Sequence, residues 1–368
     1  MKVIHFLDSL GRGGAEMQVL DVCRNGALHG MEITLVAAGG GVLEGEFRNS
    51  GVEFVRLQRR LPIDPHLVSQ LRGIVEERNI DVVHGYQAVE GLHLYLATRS
   101  SQRVRRVLSF QGFIPGRKNR VAARFAARWM DANITVSRSL LSYLGDEVGI
   151  KNHGNFHVIY NGADPQRLTP SGKSVRQELD LTADDLVGVM VANFVADPTK
   201  DQVTVCRALP AIIKQFPNFH FVFAGRISDG SEHVIAECRR ICQENDIAGH
   251  VHFLGARSDI PDILAAADIF VFSSRKEGFP VAVSEAMLAG VAMVVSDIEP
   301  LLEASSNGKY AEVFPVGNEN ALADKVRSLL HDKSRRIELA SKAKAFATDN
   351  FSIDAHLREL MKLYRSLK

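Results

Sequence analysis

The sequence predicts an α/β protein made of two doubly wound halves, each built on its own parallel sheet, and three features carry that reading. Short β-branched, apolar runs alternate with amphipathic helical stretches along the chain, the pattern of repeated βαβ units. The alternation breaks once, around Pro165, Pro170 and Gly172, and then resumes. A length of 368 residues also favours two hydrophobic cores over one.

Taken in order, the first half shows strand-like runs at 3–7, 33–37, 52–57, 82–84, 107–110, 134–136 and 157–160. Amphipathic stretches at 15–29 and 67–78 fall between them as helices. The second half shows strands at 187–193, 220–224, 250–254, 269–272, 292–296 and 312–314, with helices at 202–215, 232–244, 260–267, 281–289 and 321–330. The domains expected are therefore 1–165 and 170–351, both Rossmann-like and facing each other across a cleft. The last helix, within 352–368, is expected to return to the first half. In open parallel sheets ligands bind beyond the carboxyl ends of the strands.

Composition narrows the partners. With 46% hydrophobic and 24% charged residues the chain is an ordinary globular protein, and a net charge of +1 argues against a general attraction for nucleic acid. Between Arg99 and Arg138, however, Asp131 is the single acid among ten basic residues. The cysteines Cys23, Cys206, Cys238 and Cys242 are too few for a disulfide framework and fit a reducing compartment. Cys238 and Cys242 share a helix face, but no further ligands stand at metal-site spacing, so no metal is expected. The N-terminus reads as a strand and loop rather than a signal peptide, and no run spans a bilayer. A cytoplasmic location is expected.

Chemistry concentrates between Lys276 and Asp297. There a buried strand runs into a tight loop and then a helix. Pro280 suits the first helical turn and Gly290 the far end. Gly278 lets a ligand approach the backbone, and the free N–H groups of the first turn make an anion site. Glu277 and Glu285 bracket it and could accept hydrogen bonds from sugar hydroxyls. Taken singly, each has a plainer reading, as a helix-dipole partner and a solvated helix residue.

As a whole the segment Glu277-Gly278-Phe279-Pro280, Glu285-Ala286-Met287, Gly290 and Val294-Val295-Ser296-Asp297 resembles the signature of retaining GT-B glycosyltransferases, the large GT4-like family (glycosyl transferases group 1). Further matches follow in order along nearly the whole chain: Gly13-Gly14-Ala15-Glu16, Asp81-Val82-Val83-His84, Ile159-Tyr160-Asn161-Gly162-Ala163-Asp164 and Phe253-Leu254-Gly255. The resemblance implies that Glu285 holds the donor ribose and that Glu277 contacts the transferred sugar. It also implies that the backbone at Gly278, Phe279, Pro280 and Val281 binds sugar and phosphate, that Gly13, Gly14 and Glu16 lie near donor phosphate and acceptor, that Asn161 belongs to the interdomain segment, and that Arg257 sits near the base. Lys200 matches the family's lysine on the diphosphate.

Two departures stand out. Asn193 occupies a position where the family usually has arginine, which leaves Lys200, the helix N-terminus and a candidate Arg226 to neutralise the diphosphate. Gln111 stands where a histidine is frequent; it can hydrogen-bond a sugar but carries no charge.

The activity implied is retaining, metal-independent transfer of a hexose or N-acetylhexosamine from a nucleotide sugar to a hydroxyl of a glycan or lipid-linked acceptor. A UDP-sugar is the expected donor and GDP-mannose the alternative. No cofactor is expected beyond the nucleotide sugar itself, since the chain has no Asp-x-Asp. A nucleotide-sugar epimerase of the same architecture is the rival reading. A dinucleotide oxidoreductase is disfavoured, because Gly11-x-Gly13-Gly14 is a damaged fingerprint and no acid ends the second strand. A sugar-binding protein without activity is a third alternative.

Finally, Arg117, Arg120, Arg124 and Arg128 recur at helical spacing, with Val121, Phe125 and Trp129 beside them. Residues 103–130 could rest on the inner face of the cytoplasmic membrane. The competing expectation is that the apolar side packs on the sheet and the arginines are merely solvated.

Overall fold

The computed structural model describes residues 1–151, 154–197 and 199–368. The chain folds as two compact units, Met1–Gly162 with Ile353–Lys368, and Ala163–Ser352.

The first unit is a seven-stranded parallel sheet. Its strands are β1 Lys2–Leu7, β2 Glu32–Ala37, β3 Glu53–Arg56, β4 Val82–Gly85, β5 Arg105–Phe110, β6 Ala132–Thr135 and β7 Phe156–Val158, in the order β3-β2-β1-β4-β5-β6-β7. Val3, Ile4, Phe6, Val82 and Val83 are fully buried, as continuous apolar strands covered on both faces must be. The terminal helix Ile353–Ser366 packs into this core through Leu357, Leu360 and Tyr364. Polar contacts pin it: Tyr364 Oη lies 2.6 Å from His84 Nδ1, and His356 Nδ1 donates to the Tyr160 carbonyl at 2.7 Å. Burial holds the His84 and His356 imidazoles below their ordinary range.

The second unit is a six-stranded parallel sheet of β8 Leu186–Val191, β9 Phe219–Ala224, β10 Val251–Gly255, β11 Ile269–Phe272, β12 Ala292–Ser296 and β13 Glu312–Phe314, ordered β10-β9-β8-β11-β12-β13. Its core is aromatic, with Phe223 and Phe253 stacked at 5.2 Å. Gly188 makes room for it, since a Cβ there would lie 2.6 Å from the Phe219 ring. The helix Lys333–Asn350 carries no signal in the apolar periodicity, because its buried face is Arg336, Ala340, Ala343 and Ala347 rather than large side chains. Among the described residues no helix is long and apolar enough to cross a membrane.

In each sheet the strand order reverses beside the first strand, at β1/β4 and at β8/β11. Loops leaving the carboxyl ends at such a switch point are where doubly wound sheets place ligands.

Candidate active site

In the second unit, β8 is followed by loop residues 192–197 and 199–201, and β11 runs into the loop 273–280. The two loops are stitched together by backbone: Asp201 N donates to Ser273 O at 3.0 Å, and Arg275 N to Thr199 O at 2.7 Å. Ser296 Oγ, on β12, accepts from Ser274 N at 3.0 Å. This stitching brings Lys200 and Glu277 into a half-buried ion pair. Ser274 Oγ lies 2.7 Å from the same Glu277 oxygen, and the Lys200 ammonium stands 4.8 Å from the centre of the Phe272 ring. Two residues 77 positions apart in sequence thus meet at the switch point.

The helix Val281–Ala289 starts immediately after this pair. Pro280 is extended at its cap (φ −78°, ψ 108°), one position before the first turn where the sequence reading set it. Its fixed φ still directs the chain into the helix; Val283 N donates to the Pro280 carbonyl at 3.1 Å, and the N–H groups of Val281 and Ala282 come before the helix's own acceptors. Gly290 closes the helix at φ 81°, a left-handed position that favours glycine. Phe279 is buried against Phe351 at 5.2 Å and anchors the loop that carries Gly278.

Glu285 faces Arg167, whose guanidinium donates to it at 2.7 Å. Arg167 escapes sequence reasoning, because an arginine in a proline-containing linker looks solvated. Asn193 Oδ1 accepts from the Arg226 backbone N–H at 3.0 Å, so the residue standing where arginine is usual braces the loop of the candidate substitute. The Arg226 side chain is exposed. Gly225 permits this junction; a Cβ there would meet the Ala192 carbonyl oxygen at 2.0 Å. Arg257 is engaged by Glu178 at 2.6 and 2.8 Å and by Asp259 at 2.6 and 2.8 Å, which raises its already high pKa further. The structure gives its side chain an anchoring job between β10 and the helix Val175–Glu178.

The first unit holds a cavity of about 330 Å³ at the carboxyl ends of β1, β4 and β5. Its polar lining includes Glu16, Gln87, Glu90, Gln111 and Asn119, and its apolar lining Leu7, Phe110, Phe113 and Ile114; among the described residues no basic side chain lines it. Gly13 caps the helix Gly14–Asn25 and lets the Glu16 carboxylate lie against the loop, since a Cβ on Gly13 would be 2.6 Å from that carboxylate. Burial raises the Glu16 pKa. Asn161 Nδ2 donates to Gln111 Oε1 at 2.9 Å, which turns the Gln111 amide N–H₂ to other partners.

Glu90 is a site residue that sequence reasoning missed, since one acid in an apolar helical stretch reads as solvated. It is fully buried, accepts from the backbone N–H groups of Asp8 at 2.7 Å and Tyr86 at 2.5 Å, and so ties the ends of β1 and β4 at the cavity floor. Burial pushes its carboxyl up to about 8 against the pull of those donors. An unfolded chain releases this proton near 4.5, so the folded state retains it across the window between. Its contribution to stability is therefore full below that window and is lost as pH rises towards about 8. Thermal melts should fall between about pH 5 and 8 more steeply in the wild type than in Glu90→Gln. Equal slopes would remove Glu90 from this role.

Comparison with known proteins follows the same division. A family model described as Glycosyl transferases group 1 matches residues 173–346, and one described as Glycosyltransferase Family 4 matches 12–167. A Campylobacter jejuni relative, N,N'-diacetylbacillosaminyl-diphospho-undecaprenol alpha-1,3-N-acetylgalactosaminyltransferase, is 44% identical over 119 residues; the match spans 32% of this chain and 31% of that protein. The Bacillus anthracis N-acetyl-alpha-D-glucosaminyl L-malate synthase is 21% identical over 313 residues, 82% of this chain and 79% of its own. Among solved structures, Anabaena HepE in complex with UDP superposes with a TM-score of 0.86 over 100% of both chains at 20% identity, a likeness of fold.

Proposed function

This chain belongs to the GT4-like glycosyltransferases of GT-B fold, and from that premise we propose that it moves a hexose or N-acetylhexosamine from a UDP-sugar to a hydroxyl of a lipid-linked glycan, with retention and without a metal. The observation that carries the reading is the Lys200–Glu277 pair at the β8/β11 switch point, set against the N-terminus of the helix Val281–Ala289. Lys200 and the N–H groups of Val281 and Ala282 at the start of that helix neutralise the diphosphate, and the exposed Arg226 adds a second cation. Glu277 accepts from hydroxyls of the transferred sugar. Glu285, held in place by Arg167, accepts from the ribose.

The acceptor oxygen bonds to the anomeric carbon on the face from which the diphosphate departs. The carbon–oxygen bond to phosphate breaks, and the acceptor's hydroxyl proton passes to the leaving phosphate oxygen. No protein nucleophile is needed; the residues position the reactants and stabilise charge. Support for a sugar in the first unit's cavity comes from its lining. Carboxylates, amides and aromatic rings suit hydroxyls and ring faces, and a lining that, among the described residues, has Glu16 and no basic side chain disfavours a phosphate there. The C. jejuni relative is named for a lipid-diphosphate-linked acceptor, which supports the same class here.

The test is transfer from a UDP-sugar to an undecaprenyl-diphosphate-linked sugar in the presence of EDTA, with the product anomer read by NMR. Activity should persist and the donor's configuration should be kept. Loss on chelation that Mg²⁺ or Mn²⁺ restores, or an inverted product, refutes the reading.

A further inference from the structure

We propose that the outer face of the helix Arg117–Arg128, with Trp129 at its end, seats the first unit on an anionic bilayer surface. Amphipathic helices of an α/β domain ordinarily bury their large apolar residues. This one does the reverse. Its buried residues are Ala123, Ala126 and Ala127, and Ala126 fits against Gly91 of the neighbouring helix Ala88–Thr98. Val121, Phe125 and Trp129 are instead 41%, 59% and 46% exposed. The expectation that the apolar side packs on the sheet is therefore overturned: alanines make the close approach, Val121 and Phe125 are turned outward, and Trp129 lays one face on Tyr95 at 5.1 Å while staying nearly half exposed.

Basic residues are interleaved with those outward groups. Arg117, Lys118 and Arg128 are exposed, Arg128 with its guanidinium 5.9 Å from the centre of the Trp129 ring, and the helix contains no acid. Cations at headgroup level and aromatic side chains in the interface are what an anionic membrane surface binds. Arg120 and Arg124 do other work: they donate to the Ile114, Glu147 and Val148 carbonyls at 3.3, 3.3 and 2.5 Å and hold the helix to its surroundings. The helix also reaches the cavity, which Asn119 and Ala122 line. Docking would hold that cavity beside the surface, its acids receiving the acceptor's sugar while the acceptor's phosphates stay with the arginines outside. This rests on the reading of the acceptor as lipid-linked.

Trp129 is the single tryptophan of the chain and reports the contact directly. Vesicles of equal phosphatidylglycerol and phosphatidylcholine should co-sediment the protein and shift Trp129 emission to the blue. Pure phosphatidylcholine should do neither, and high salt should abolish both. Arg117→Ser with Lys118→Ser should weaken binding about tenfold or more, and Phe125→Ser should reduce the emission shift. Neither change touches a buried contact, and an unaltered circular dichroism spectrum confirms the fold. Failure to co-sediment with anionic vesicles at low salt overturns the proposal. Co-sedimentation with unchanged Trp129 emission does so too, because another face is then responsible. UDP binding measured without vesicles tests the donor reading separately.

Discussion

Lys200→Ala is expected to raise the Kd for UDP itself by about two to three orders of magnitude, from a loss of about 3–4 kcal/mol. Two effects act in the same direction. A charge-assisted hydrogen bond to the diphosphate disappears. The Glu277 carboxylate, which among the described residues keeps Ser274 Oγ as its partner once the ammonium is gone, then faces an incoming diphosphate. Calorimetry with UDP separates this from sugar recognition, since the nucleotide carries no sugar to transfer. If UDP binds normally and only the UDP-sugar suffers, Lys200 acts on the sugar and its assignment to the diphosphate is wrong. Arg226→Ala should show a smaller loss of the same kind, because its side chain is exposed and solvent screens it.

Glu277→Gln should behave in the opposite manner towards UDP. The substitution keeps the side chain's shape and removes its charge, so the Lys200 ammonium is released to the phosphates and UDP affinity is maintained or improved. Turnover should nevertheless fall by about 10²–10³ in kcat, the cost of removing one preorganised electrostatic contact at a reacting centre. The donor KM should change far less, because the contact counts most in the transition state. An unchanged kcat would show that Glu277 serves the loop, through Ser274, rather than the sugar. A double-mutant cycle over Lys200 and Glu277 then gives their coupling directly.

The sequence by itself determined the architecture. Apolar runs such as 3–7 and 187–193 alternate with helical stretches and so read as buried strands of parallel sheets. It also marked the loop-to-helix junction at 277–281, because Gly278, Pro280 and Gly290 are local conformational signals that need no partner. The motif residues in that stretch were legible for the same reason: their spacing lies within one loop and one helix.

What only the tertiary structure decided are the contacts between distant segments. Lys200 meets Glu277 because two loops leave adjacent strands at a switch point, and strand order is not written in local periodicity. Arg167 on Glu285, and Glu178 on Arg257, are charge pairings across 118 and 79 positions that any of many acids and bases could have made. Glu90 was invisible because one acid in a helix is solvated or buried according to what lies opposite it. The helix at 117–128 carries the plainest lesson. Periodicity located both of its stripes, but which stripe turned inward was decided by the space beside Gly91, where alanine fits and phenylalanine does not.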